Sequence, residues 1–477
     1  MRNEITGQSG KKVVVIGAGP AGLSASYELA RNGITPIVLE KDNVIGGIAR
    51  TEVFHGFRFD MGGHRFFTKS NYINSIWVEM LGPEFLQCQR QSRIYYSGKL
   101  INYPPRIKNT LQNLGFTESA KVLGSYCKSK IFPCSPVVSF QDWVTNAFGE
   151  RLFNIFFKSY TEKVWGMPCT ELRAEWAAQR IRSMSLGSAV KHLIHKSDKS
   201  QRSMIDSFHY PRLGPGMMWD ALKSRIETAG GNVTMGTDVL SVVRDGKRVK
   251  QAIVRTRKGI RSLSASSFIS SMPLSELVLK LNPQPPAEIV AAARALRYRS
   301  YITVCLIVDN PSLFSDNWIY VHEPDVLVAR IQNYKNWSRA LVPDLSKTGL
   351  GMEYFCNEGD RFWSMPDREL VALASRELQK LSLCKSSRVL DGVVYRIAKA
   401  YPVYDSLYSE AVDRIYSWCS GITNLRTIGR NGLHRYNNLD HSMLTGVYAA
   451  RSLLTGEQYD LRSVNDEQEY LEEIPAS

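Results

Sequence analysis

The chain has 477 residues, 44% of them hydrophobic and 22% charged, a balance that suits a soluble globular protein of two to three domains. Its formal charge is +15 without a long Lys/Arg block, the densest stretch (Lys191 to Arg202) holding four basic residues and one Asp; this favours a solvated surface or an anionic ligand over nucleic acid. No run reaches the ~18 apolar residues of a membrane span, no secretory pattern precedes the first apolar run, and the eight cysteines (88, 127, 134, 169, 305, 356, 384, 419) form no CxxC pair, so a reduced, cytoplasmic, metal-free protein is expected.

The apolar run Val13-Val14-Val15-Ile16 predicts a strand, followed by a glycine turn, a helix through Ala30 and a second strand over Pro36 to Leu39. Residues 72–209 read as mainly helical and rich in aromatics, broken by Tyr103-Pro104-Pro105 and by Pro133 to Pro136. A helix and then β-like runs are expected over 210–275, with a turn at Gly230-Gly231. Residues 276–395 mix strands such as Tyr301 to Val308 with a helix near Arg368 to Leu381. In 396–477 a loop and a helix are expected over Thr427 to Leu454, then an acidic tail after Asn465. The implied organisation is one nucleotide-binding domain in three segments (1–71, 210–275, 396–477), with substrate-domain insertions at 72–209 and 276–395.

Gly17-Ala18-Gly19-Pro20-Ala21-Gly22 fits G-x-G-x-x-G between a predicted strand and a predicted helix. Gly17 makes the tight turn, Gly19 lets backbone approach a pyrophosphate, and Gly22 lets helix and strand pack closely. The helix start at Pro20 and Ala21 then offers N–H groups and partial positive charge to phosphate. Glu40, 18 residues beyond Gly22, ends the second strand where a ribose hydroxyl pair would be held. Paired glycines follow at Gly46-Gly47, with Lys41 and Arg50 nearby, and at Gly62-Gly63, ahead of His64; such pairs suit backbone running close to a flat extended ligand.

This run resembles the FAD fingerprint of the family that contains amine oxidases, protoporphyrinogen oxidases, phytoene desaturases and UDP-galactopyranose mutases. Val239 and Ser271-Met272-Pro273 resemble its returning segment on the adenine side. The fold class implied is α/β, a Rossmann-type FAD-binding domain with helical and mixed α/β substrate-domain insertions, and FAD is the expected cofactor. Within the family, Phe140-Gln141-Asp142-Trp143, Tyr160, Lys163-Val164-Trp165, Trp176 with Arg180, Trp318 to Tyr320, Arg330, Asn333-Tyr334, Gly429-Arg430 and Asp440-His441-Ser442-Met443 resemble blocks of the mutases, in the same order. The match departs at Thr161 and Glu162, near which the mutases usually carry Asn, and the stretch from Gly187 to Met204 has no matched counterpart.

The resemblance implies that Arg180 and Arg330 clamp a substrate diphosphate, a task suited to a permanently charged fork, and that Tyr320, Tyr334, Tyr401 and Tyr436 line the substrate site. It implies that His64 lies beside the flavin ring, and that Gly429, Arg430, Asp440, His441, Ser442 and Met443 close over the flavin and pyrophosphate. His64, Arg180 and Arg330 are the candidate catalytic residues. The implied reaction is a nucleotide-sugar pyranose–furanose interconversion, in which a reduced flavin attacks the anomeric carbon of an anionic small-molecule substrate and an external reductant maintains the flavin. Hydride removal from an amine, porphyrinogen or polyene by an oxidase or desaturase, and a non-catalytic FAD-bound protein, stay open as alternatives.

Overall fold

The computed structural model describes residues 12–103, 115–174, 176, 207–384 and 387–465. Arg180, the Pro104-Pro105 break, the basic stretch from Lys191 to Arg202 and the tail after Asn465 lie outside the described residues. Three of the sheets organise the fold. A five-stranded parallel sheet runs in the order Leu425–Thr427, Ser267–Ser270, Val13–Ile16, Pro36–Leu39, Asn232–Thr234. Its strands come from distant parts of the chain, and a parallel sheet covered on both faces needs continuous apolar runs such as Val13–Ile16.

The period-2 alternation of that first strand divides the core. Val13 and Val15 face the helices Pro20–Arg31, Gly216–Thr228 and Leu439–Thr455, packing with Leu23, Leu29, Leu222 and Val447. Val14 and Ile16 face the other way, onto Val242, Val249 and Val254 of a four-stranded sheet. Helix Leu439–Thr455 lies against helix Pro20–Arg31 so closely that a Cβ at Gly446 would overlap the carbonyl oxygen of Ala21.

The largest sheet has seven strands, ordered Val389–Pro402, Tyr298–Val308, Thr348–Cys356, Arg330–Asn333, Trp318–Val321, Ser92–Tyr96, Lys99–Asn102. Its last two strands come from the stretch expected to be mainly helical. They form a hairpin closed by Ser97-Gly98, both at positive φ, and join the sheet by parallel pairing with Trp318–Val321. The alternation in Ser92–Tyr96 was masked by consecutive aromatics. Beyond this sheet a helical layer contains Phe116–Ile131, Phe140–Phe148, Glu150–Phe153, the π-turn Asn154–Lys158 and Ser159–Trp165. Ser139 and Asp142 form a capping box that fixes the start of the second of these helices. No described helix is long and apolar enough to cross a membrane.

Candidate functional site

Two cavities meet at His64. The larger, about 850 Å³, runs along the C-terminal ends of the parallel strands. It is a groove lined by Gly17, Gly19, Pro20, Ala21, Glu40, Lys41, Gly47, Arg50, Val239, Gly429, Arg430 and Ser442. The smaller, about 380 Å³, lies between the seven-stranded sheet and the helical layer. Ile48, His64, Arg430, Asn438 and Leu439 line both, so the groove and the cavity are continuous.

The groove is made largely of backbone. Gly17 has φ +97°, a left-handed value that favours glycine, and it begins the turn directly after the first strand. A Cβ at Gly47 would come within 3.3 Å of the Gly19 Cα, so the two glycine loops abut with no side chain between them. Glu40 is buried, and its carboxylate accepts the Ala18 N–H at 2.8 Å and the Asp42 N–H at 2.9 Å. Burial pushes its pKa up, while these two N–H groups pull it down. Arg50 is oriented by Glu52 at 2.7 Å and Asp42 at 3.1 Å. These features fit a dinucleotide: open N–H groups at a helix start for the pyrophosphate, and a fixed carboxylate for a ribose.

Other predicted residues sit behind this surface. A Cβ at Gly22 would overlap the Gly17 carbonyl oxygen, so Gly22 serves close packing of helix on turn. Gly46 donates its N–H to Ala18 O at 2.9 Å and leaves room for Trp219. In the run from Asp440 to Met443, helical periodicity sends successive side chains in different directions. Ser442 faces the groove, whereas Asp440 faces the smaller cavity. His441 lines neither: its Nδ1 accepts the Asn438 N–H at 3.4 Å in a capping box. Met443 is fully buried in the core, where its sulfur accepts the Trp77 indole N–H at 3.1 Å. Met443 and His441 therefore line neither cavity, and Gly62 and Gly63 lie on the wall of the smaller one.

At the junction, His64 Nε2 lies 2.6 Å from Met61 O and 2.8 Å from Ile48 O. Carbonyls only accept, so Nε2 carries the proton and Nδ1 holds the lone pair. Burial lowers the His64 pKa to about 4, with nearby Arg430 and Arg330 adding to the effect, so the ring is neutral near pH 7. Arg430 donates from Nε to Asn437 O at 2.9 Å and lies over the rings of Tyr401 and Tyr436, themselves stacked at 5.4 Å.

Four of the predicted substrate residues, Tyr320, Arg330, Tyr401 and Tyr436, line the smaller cavity. Arg330 donates from Nε to Glu353 at 2.8 Å and also from Nη2; Gln332 donates to the other oxygen of Glu353 at 2.9 Å. Burial opposes the guanidinium charge, but the fully buried Glu353 carboxylate, together with Tyr401 and Tyr160, outweighs it and holds the Arg330 pKa well above its ordinary value. Burial also raises the Tyr401 pKa to about 12 and that of Tyr160 well above the ordinary value, leaving both hydroxyls protonated near pH 7. Tyr334 departs from its expected place. It lies outside the cavity, donating to Asp60 O at 2.7 Å beneath Gly351. It follows the end of strand Arg330–Asn333 in a 3₁₀ turn, which rotates it off the cavity face.

Sequence reasoning did not single out Gln332 or Glu353. A signal existed for Glu353, a lone carboxylate in the otherwise apolar strand Thr348–Cys356, where burial demands a partner. Among the described residues, no group of His, Cys, Asp and Glu is arranged to hold a metal ion.

A family model described as flavin containing amine oxidoreductase matches residues 135–397, more than half of the chain. The chain belongs to that family. A second model, for an NAD(P)-binding Rossmann-like domain, matches residues 15–80. The family member is an FAD-dependent enzyme, and the groove is the place where its residues fit FAD. The chain is 25% identical to the Probable UDP-galactopyranose mutase of Klebsiella pneumoniae over 179 residues, 34% of this chain and 43% of that relative. It is 39% identical to protoporphyrinogen oxidase 2 of Arabidopsis thaliana over 62 residues, 13% of this chain and 12% of that one. These alignments therefore span less than half of each relative. A crystal structure of reduced UDP-galactopyranose mutase superposes with a TM-score of 0.83 at 22% identity, covering 97% of both chains. Putrescine oxidase bound to putrescine gives 0.62 at 15% identity, over 93% of this chain and 99% of that one. These structural likenesses show the shared fold.

Proposed function

We propose that this FAD-dependent family member interconverts the pyranose and furanose forms of a nucleotide sugar without net oxidation. The observation that carries the reading is the charge of the smaller cavity. Among the described residues, Arg65, Arg330 and Arg430 line it beside six tyrosines, and Asp440 is the single lining carboxyl. Even with Glu353 counted against Arg330, the balance is positive. A protonated amine would meet like charge there, and a polyene would offer the guanidinium groups neither charge nor acceptor. A diphosphate would satisfy both charge and donors.

Reduced FAD, when bound, supplies the nucleophile for the anomeric carbon. The chain's own part is to hold the diphosphate as it departs and returns, which is positioning and charge stabilisation rather than strong acid–base chemistry. Arg330, oriented by Glu353, and the protonated Tyr160 and Tyr401 are donors for that task. The neutral His64 offers Nδ1 as an acceptor at the junction. The similarity in fold to a reduced UDP-galactopyranose mutase supports the reading.

The test is anaerobic incubation of dithionite-reduced protein with nucleotide sugars, UDP-galactose forms included, followed by chromatography. Interconversion confined to the reduced state is expected. Absence of any conversion, together with bleaching of the oxidised flavin by an amine, porphyrinogen or polyene, would replace this reading with oxidation.

A further inference from the structure

Helix Phe116–Ile131 turns its apolar side outward. Phe116, Ala120, Leu123, Cys127 and Ile131 recur at spacings of four, three, four and four, which places them on one face. All five are exposed; Phe116 is 92%, Leu123 46% and Ile131 69% accessible. The adjoining Phe132 is 73% accessible and extends the ridge. The opposite face, with Val122 and Ser129 buried, fastens the helix to its own layer, where the turn at Gly149 meets the backbone of Tyr126. Ordinary surface helices do the reverse.

The flanks of the ridge are basic. Lys121 and Lys128 lie on one side and Lys130 on the other, all exposed. The sole carboxylate of the helix, Glu118, is engaged by Lys121 at 2.9 Å and Arg151 at 2.6 Å. A second copy of this helix laid along the ridge would set lysines against lysines. An anionic lipid surface would instead receive the apolar ridge and attract the lysines. The ridge extends ~22 Å, long enough to lie in a membrane interface and lacking the length and continuity to cross one.

We infer that helix Phe116–Ile131 is an interfacial membrane-docking element that seats the FAD-loaded protein on anionic phospholipid surfaces. The opposite side of the helical layer supplies Phe140, Phe156 and Tyr160 to the smaller cavity, so docking leaves the reaction site on the protein side of the layer.

The test is cosedimentation of the full chain, with FAD bound, on vesicles of neutral phosphatidylcholine and on vesicles containing 30% phosphatidylserine. Binding to the anionic vesicles is expected, weakening at least ~10-fold between 0.1 and 0.5 M salt. Combined Phe116→Ser, Leu123→Ser and Ile131→Ser should reduce it at least ~10-fold, and combined Lys121→Glu, Lys128→Glu and Lys130→Glu about 100-fold. Because the side chains replaced in the serine variant face solvent, its FAD absorbance and unfolding temperature should stay at wild-type values; lipid and salt dependence of the unmodified protein test the idea without any variant. Failure of the wild type to bind anionic vesicles overturns it, as does binding indifferent to lipid charge and salt or unchanged in the serine variant. A concentration-dependent dimer lost in the serine variant, with no vesicle binding, would assign the ridge to a second copy.

Discussion

The two cavities that meet at His64 are built on opposite plans. The cofactor groove is shaped by backbone, with glycine loops and two helix starts pressed together by close packing. The smaller cavity is walled by side chains on a large sheet and a helical layer, assembled from distant parts of the chain. The difference teaches where tolerance lies: changes in the groove disturb main chain, whereas changes in the cavity alter charge and shape on an intact frame. The sharpest break of the contrast is Gly22→Val. Its side chain would overlap the Gly17 carbonyl oxygen, which cannot yield as a flexible side chain would. Loss of bound FAD and a destabilisation of several kcal/mol are expected, read by gel filtration absorbance and thermal unfolding. Retention of FAD at wild-type stability would show that the turn is softer than its geometry.

The next largest effect belongs to Arg330. Arg330→Ala removes a donor from the cavity and leaves Glu353 buried without its charge partner, at a cost of about 3–5 kcal/mol in stability. Under the proposed reaction, turnover of a nucleotide sugar should fall ~100-fold or more. The combined variant Arg330→Met with Glu353→Gln separates the two consequences: stability should recover while activity does not. Recovery of activity in that variant would sink the role of Arg330 as a diphosphate donor.

The same contrast explains what was legible in the sequence. Backbone demands are local, so Gly17, Gly19, Glu40 and Gly47 announce the groove within some thirty residues, and the apolar run Val13–Ile16 announces its sheet. The cavity depends on pairing across the chain. Arg330 meets Glu353 because Arg330–Asn333 pairs with Thr348–Cys356 in that register, a fact no local pattern contains. Tyr334 shows the limit from the other side: one residue beyond a strand end, a 3₁₀ turn carries it from the cavity into the core. The Asp440–Met443 run divides in the same way: Ser442 and Asp440 line the two cavities, while helical periodicity turns His441 and Met443 elsewhere.

Acid should expose the buried side of the cavity wall. His322 stacks on Tyr160 at 5.0 Å, and burial, with Lys163 nearby, lowers its pKa from 6.5 to about 3. The unfolded chain then binds a proton that the folded chain refuses between about pH 6.5 and 3. This contribution is full above pH 6.5 and is lost as pH falls, at up to about 1.4 kcal/mol per pH unit. His322→Phe should therefore lose about 2 kcal/mol less than wild type between pH 6.5 and 4.5, measured by urea unfolding at both values. Identical losses would mean that the folded ring accepts its proton without penalty.

The smallest effect sharpens the boundary between cavity and core. Tyr334→Phe and Tyr401→Phe delete the same atom from two tyrosines that the sequence assigns to one site. Removing the Tyr334 hydroxyl takes the 2.7 Å donor from Asp60 O, which keeps the Gly62 N–H at 2.9 Å, in a buried place. That should cost about 1 kcal/mol of stability and leave kcat/KM for a nucleotide sugar unchanged. Tyr401 lines the cavity under the Arg430 guanidinium, so its loss should lower kcat/KM several-fold with little change in unfolding temperature. If Tyr334→Phe reduced kcat/KM as strongly as Tyr401→Phe, the core would be transmitting position to the site through Asp60 and the Gly62-Gly63 turn, and the two regions would have to be treated as one.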